Sequence, residues 1–182
     1  MDQPPFLYPD AGEPVLGLQL GTVRLREYTP LWAELFLVEA GHIRGALGEL
    51  ALDVQHVGST AVPGLRAKPI LDIAIAIPAI DDVSKCATPL ADLGYQIACW
   101  ADLENDFVFE KGLERTHHVH LVERKSRQWS DYIRFRDALR RNAQLVGEYE
   151  QIKMALGGRF HGNRAAYTSA KAEFIRRVLS GV

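Results

Sequence analysis

The stretch from His56 to Ile73 constrains this chain more than any other. It reads as a strand, a Gly-Ser turn and a second strand whose single acid sits among apolar residues. Leu52 and Val54 alternate with polar neighbours and predict a strand over residues 52 to 57. Gly58-Ser59 breaks that alternation. A glycine there lets backbone approach a ligand closely. Ser59 and Thr60 offer hydroxyls, and a helix starting at this turn would aim free N–H groups at an anion. Pro69 opens the second strand, where its missing N–H does little harm. Leu71, Ile73, Ile75 and Ile77 then share one face, and Ile70, Asp72, Ala74 and Ala76 the other. An acid on such a face requires a partner or a metal. A phosphate-cradling turn followed by Asp72 therefore suits a metal-bound nucleoside triphosphate.

His118-Val119-His120 forms a second constellation. Residues two apart on a strand share a face, so with Val119 and Leu121 in the core both imidazoles would look into a cleft. Paired imidazoles there can hold a metal, accept a proton or contact phosphate; a hydrogen-bonded pair in a polar pocket is the competing reading. His117 would point the other way, and His56, on the Leu52/Val54 face, reads as a satisfied core histidine. Lys68 precedes the Asp72 strand within reach of a phosphate. Arg136, among Trp129, Tyr132, Ile133 and Phe135, is suited to bidentate phosphate contact or to a salt bridge with Asp137 or Glu110. Lys153 follows Tyr149, and Lys171 follows Tyr167, at helical spacing on apolar stripes. Such lysines either share a cleft or snorkel to solvent.

His-Val-Gly-Ser-Thr-Ala-Val-Pro-Gly-Leu with Lys68-Pro69-Ile70 and Asp72 resembles the GrpB (UPF0157) family. The resemblance extends to Tyr28-Thr29-Pro30-Leu31-Trp32, His118-Val119-His120 and Phe135-Arg136-Asp137-Ala138-Leu139-Arg140, over roughly residues 22 to 180. It implies a nucleotidyltransferase-like fold. That superfamily carries Gly-Ser on a turn, Asp-x-Asp/Glu, and a third acid on a later strand. Here Asp72-Ile73-Ala74 supplies the first acid only, and His118 or His120 would stand near the third. The resemblance thus implies metal-dependent nucleotidyl or phosphoryl transfer from a nucleoside triphosphate to a small acceptor. In that scheme Gly58, Ser59, Thr60, Lys153 and Lys171 hold phosphates. Asp72, Lys68 and Arg136 act in catalysis, and Asp72, His118 and His120 hold Mg, Mn or Zn. The alternative is a non-catalytic module for a nucleotide, coenzyme A fragment or other anion, serving a partner protein as a folding or regulatory accessory. A related domain is fused to dephospho-coenzyme A kinase in some bacteria.

Composition narrows the classes. A net charge of −2 and a pI near 6.3 give no overall attraction to nucleic acid or anionic membrane. Cys86 and Cys99 lack metal-ligand spacing, and the first residues resemble no signal peptide, which predicts a reduced cytoplasmic protein. At 47% hydrophobic and 24% charged, 182 residues suit one folded domain. Residues 1 to 21 read as an N-terminal arm and 22 to 182 as that domain, helical from about 126.

Along the chain, residues 22 to 27 predict a short strand. Thr29-Pro30 opens a helix running to about Leu50. A helix capped by Asp81 runs to about Leu93, with Gly94 ending it and Pro89 kinking or splitting it. Strands are predicted over 95 to 100, 105 to 110 and 116 to 123, the last two antiparallel. Three helices follow, over about 126 to 141, 143 to 156 and 164 to 179. Asn142 and Asn163 are their caps, and Gly157-Gly158 ends the middle one. The fold class is α+β: a small mixed sheet with flanking helices and a helical C-terminal third.

Overall fold

The computed structural model describes residues 14–19, 22, 24–98, 107–159 and 164–181, with backbone alone at 156–159 and 164–170. Helix α1, Leu31–Leu47, begins where Thr29 Oγ1 accepts from the Leu31 N–H at 3.4 Å. Strands β1, Asp53–Val57, and β2, Leu71–Ile77, flank the Gly-Ser turn. Helix α2, Val83–Asp92, carries Pro89 in its last turn without splitting. Strands β3, Tyr95–Ile97, β4, Phe107–Lys111, and β5, His117–Glu123, complete the sheet. Helices α3, Arg127–Arg141, α4, Ala143–Arg159, and α5, Arg164–Ser180, close the chain.

The five strands lie in the order β1-β2-β5-β4-β3. β2 and β5 run parallel and the other neighbours antiparallel, so the sheet is mixed. This is the α+β architecture expected, and the β4–β5 hairpin is antiparallel as expected. The alternation in β2 assigns its two faces. Leu71, Ile73, Ile75 and Ile77 pack with Trp32, Ile43, Leu47, Cys86 and Leu90 under α1 and α2. Ala74 and Ala76 pack with Val57, Val122 and Trp129 under α3. Burying each of the three isoleucines contributes about 1.5–3 kcal/mol, as an upper estimate. A third cluster joins Val62 and Leu65, just past the turn, to Leu139, Tyr149, Phe174 and Val178 of the C-terminal helices. It fixes α4 and α5 over the end of the sheet where Asp72 lies.

Several boundaries differ from the sequence reading. The strand predicted over 22 to 27 is, among the described residues, a single bridge between Arg26 and Ala67, because only Arg26 exchanges backbone bonds; Val23 lies outside the described residues. α4 continues through Gly157-Gly158 to Arg159. The helix bonds on either side outweigh the roughly 1 kcal/mol penalty of each glycine. Ser126 caps α3 by accepting from the Trp129 N–H, and Asn142 caps α4 by accepting from Gln144 and Leu145. Asn163, residues 99–100 and 105–106 of the predicted strands, and most of residues 1 to 21 lie outside the described residues. Within the predicted arm, Val15, Leu16 and Leu18 are buried. Gly17 and Leu18 bond to the Pro69 and Glu114 carbonyls, and Trp32 Nε1 donates to Val15 O. No described helix is long and apolar enough to cross a membrane.

Candidate functional site

Gly58 sits at φ 68°, ψ −168°, a combination that is essentially glycine-only. A Cβ built there would lie 2.4 Å from Asp72 Oδ2 and 2.9 Å from Asp72 Cβ. The close approach that the sequence reserved for a ligand is therefore occupied by the chain's own carboxylate. The segment after it, Ser59–Ala61, forms one 3-10 turn rather than a longer helix. The Thr60 hydroxyl donates to Ile70 O at 3.3 Å and so accepts from His56 Nε2 at 3.0 Å. His56 is buried and stacked on Phe36 at 4.8 Å, a satisfied core histidine. Arg140 Nε, from α3, donates to Ala61 O at 2.8 Å and pins the far end of the turn.

The parallel register opposes Asp72 to His118 and Ala74 to His120. Both imidazoles thus share the Asp72 face. His118 Nδ1 lies 3.1 Å from Asp72 Oδ1, and His120 Nε2 lies 3.9 Å from the same oxygen. His120 Nδ1 and the Tyr132 hydroxyl, on α3, are 3.0 Å apart. Burial pushes the Asp72 carboxyl up, but hydrogen bonds and charge from His118 and His120 outweigh it and hold the group below the usual carboxylate range. The cluster is a carboxylate bracketed by two imidazoles. Among the described residues no group of three or more His, Cys, Asp or Glu is arranged to hold a metal ion. His118 Nδ1 and Asp72 Oδ1 are bonded directly to each other, which engages one atom of each group. Asp72, His118 and His120 thus come together on one face as expected, as a hydrogen-bonded set.

Asp72 and His118 form one wall of a cavity of about 110 Å³. Ser59 and Thr60 lie along it, with Leu18 and Ile70 as its apolar lining. Four cations converge on it from four segments: Lys68 before β2, Arg115 from the β4–β5 turn, Lys153 from α4 and Lys171 from α5. Lys153 is 2% exposed. Its ammonium donates to the Arg66 carbonyl and lies 5.1 Å from the Tyr149 ring centre. Burial, then the neighbouring Lys171, push its pKa down to about 7, with Glu150 opposing. The two lysines therefore share a cleft, as one sequence reading had it.

Arg136 does not line this cavity. Its Nε donates to Asp137 Oδ1 at 2.8 Å, and one terminal nitrogen donates to Gln55 Oε1 at 2.8 Å and His56 O at 3.0 Å. It is a strut between α3 and β1, and the phosphate role expected for it gives way to the salt bridge with Asp137. Arg136→Met should cost about 2–3 kcal/mol in urea unfolding, because the buried His56 carbonyl and the half-buried Gln55 and Asp137 side chains lose their donor. Anion binding in the cavity should be unchanged by calorimetry. Arg115 was missed by sequence reasoning. It is 3% exposed and donates to Gln19 O at 3.0 Å. A charged residue in a hairpin turn has no periodicity to betray it. Leu18 was missed because residues 1 to 21 read as an arm.

These features define an α+β protein with a mixed sheet, one end of which carries a small cation-rich pocket around an Asp–His pair. The profile of the GrpB protein family matches residues 22–180, and the chain belongs to that family. The "Glutamate-rich protein GrpB" of Alkalihalophilus pseudofirmus is 33% identical over 172 residues, covering 91% of this chain and 99% of that one. A UPF0157 protein of Pseudomonas aeruginosa is 41% identical over 157 residues, covering 82% of this chain but 63% of its own length. The crystal structure of conserved protein GrpB from Enterococcus faecalis superposes with a TM-score of 0.78 at 31% identity, covering 87% of this chain and 96% of that one. A Mycobacterium bovis protein named dephospho-CoA kinase is 35% identical over 75 residues, 40% of this chain and 18% of that one.

Proposed function

We propose that the pocket binds the phosphate of a small phosphate-bearing molecule, a nucleotide or coenzyme A fragment, in a binding module. The observation that carries this is the convergence of Lys68, Arg115, Lys153 and Lys171 on one cavity of about 110 Å³, with Asp72 the one carboxylate among the described lining residues. Four cations around one cavity attract an anion into it. The cavity has room for about four waters, which suits a phosphate group with the rest of the ligand outside. Nucleotidyl transfer on a nucleotidyltransferase-like fold is the weaker reading. Its second acid would stand at Ala74, which is fully buried among Val57, Val122 and Trp129 with no room for a hydrated ion. The name of the Mycobacterium bovis relative puts dephospho-coenzyme A among the ligands worth trying.

Calorimetric titration with pyrophosphate, nucleoside triphosphates and dephospho-coenzyme A tests the proposal. Pyrophosphate should bind, and Lys171→Ala should weaken it about tenfold, the worth of one charge-assisted hydrogen bond. Absence of binding heat for every phosphate compound would sink the reading. Pyrophosphate release from a triphosphate in the presence of Mg, Mn or Zn, abolished in Asp72→Asn, would move the assignment to transfer.

A further inference from the structure

Lys153 is the one lysine among the buried charged residues described. Its hydrogen-bond acceptor is a neutral main-chain carbonyl, that of Arg66, rather than a carboxylate. Its charged neighbours are Lys171 on α5, which disfavours its charge, and Glu150 on its own helix, which favours it. Lys68 and Arg115 line the same cavity, as do Asp72 and His118. A lysine that only bound phosphate would gain nothing from such burial, because desolvation removes the charge that binds. Burial beside another cation is the arrangement that turns an ammonium into a nucleophilic amine.

We propose that Lys153 is a nucleophilic amine and that the pocket takes a phosphorylated aldehyde or ketone, held through its phosphate by Lys68, Arg115 and Lys171 and joined to Lys153 as a Schiff base. The inference rests on the anion-binding reading above and names the substrate class for it. The Lys153 nitrogen lone pair attacks the carbonyl carbon, and the C=O π pair moves to oxygen, which takes a proton. The resulting carbinolamine loses its hydroxyl, with a proton, as water; the nitrogen gives up its second hydrogen and the C=N bond forms. No oxidant or reductant is involved. The bonded His118–Asp72 pair lines the same cavity, where it can pass these protons. A pKa of about 7 leaves near half of Lys153 uncharged at neutral pH, against about 1 in 2,500 for an exposed lysine.

Pyridoxal 5′-phosphate is a suitable probe, since it carries both an aldehyde and a phosphate. The full-length protein is incubated with it at neutral pH, reduced with borohydride and mapped by peptide mass. Lys153 should be labelled about 10- to 100-fold faster than exposed Lys85 and Lys125, the gain in free amine being partly offset by the weaker nucleophilicity of a weaker base. Pyrophosphate should protect it. Lys153→Met, similar in length and apolar, should lose the aldimine absorbance while keeping its circular dichroism spectrum. The wild-type peptide map decides the matter even if that variant does not fold. Labelling of Lys153 no faster than Lys85 and Lys125, or of Lys68 or Lys171 with Lys153 unmodified, overturns the proposal. A wild type that binds pyrophosphate but leaves Lys153 unlabelled overturns the amine alone; a wild type that binds no pyrophosphate overturns the anion site beneath it.

Discussion

Gly58→Ala is expected to destabilise the protein by about 3–5 kcal/mol in urea unfolding, a large effect for one methyl group. Two causes combine. The φ of 68° with ψ near −168° is a backbone conformation that alanine resists by about 1–3 kcal/mol. The new Cβ would also stand 2.4 Å from Asp72 Oδ2, and the carboxylate cannot yield without leaving its 3.1 Å contact with His118. Overpacking of that kind costs about 1–3 kcal/mol. The carboxylate's share separates in a double-mutant cycle with Asp72→Ala, which removes the carboxylate and leaves the backbone strain and the 2.9 Å contact with Cβ. A coupling of about 1–2 kcal/mol is expected, with Gly58→Ala milder in the Asp72→Ala background. Strict additivity would mean that the carboxylate takes no part in the penalty, and a Gly58→Ala protein as stable as the wild type would contradict the close approach itself.

The same pair shows what sequence can disclose here. Asp72 stood out because its neighbours on alternate positions are Ile70, Ala74 and Ala76, and a period of two fixes which face it shares with His118 and His120. The register that opposes Asp72 to His118 then follows from burying the Ile face of β2 and the Val119/Leu121 face of β5 on the same side. What Gly58 makes room for could not be read, because a glycine in sequence announces space without naming its occupant. Arg136 illustrates a second limit. Its helical position among aromatic residues disclosed that it is covered, but not whether Asp137, Gln55 or a ligand covers it. Lys153 and Lys171 reach one cavity from different helices, and the packing of Tyr149 on Phe174 that brings those helices together is a tertiary fact. Arg115 and Leu18 lie in a turn and in the predicted arm, where no periodic pattern operates.

Acidification should destabilise this protein well before its carboxylates are protonated, and the cause is a pair of histidines on the opposite face of the sheet from the pocket, His56 buried and His117 half-buried. His56 is enclosed by Phe36 and Thr60, with Asp72 favouring its charge and Arg140 and Arg136 opposing it; burial dominates and lowers its pKa to about 4. His117 meets the Tyr95 ring, Glu39 of α1, Lys111 of β4 and its neighbour His118, and burial again dominates, lowering it to about 4. In the unfolded chain both titrate near 6.5. Between these values the unfolded state binds more protons than the folded one, so stability is full above about pH 6.5 and falls as the pH drops towards 4. At pH 5 the loss is about 2 kcal/mol for each histidine. Asp72 and Glu39, both held below their ordinary values of 3.8 and 4.5, keep their full contribution above those values, so the window from pH 4.5 to 6.5 isolates the histidines. Urea unfolding at pH 7.5 and pH 5 should differ by about 5 kcal/mol in the wild type, about 2 from each histidine and about 1 from Lys153, and by about 3 kcal/mol in His56→Gln, whose amide can keep a hydrogen bond to Thr60 but takes up no proton. A wild type equally stable at both pH values would show that these imidazoles are hydrated, and the stacking of His56 on Phe36 in the core would be wrong.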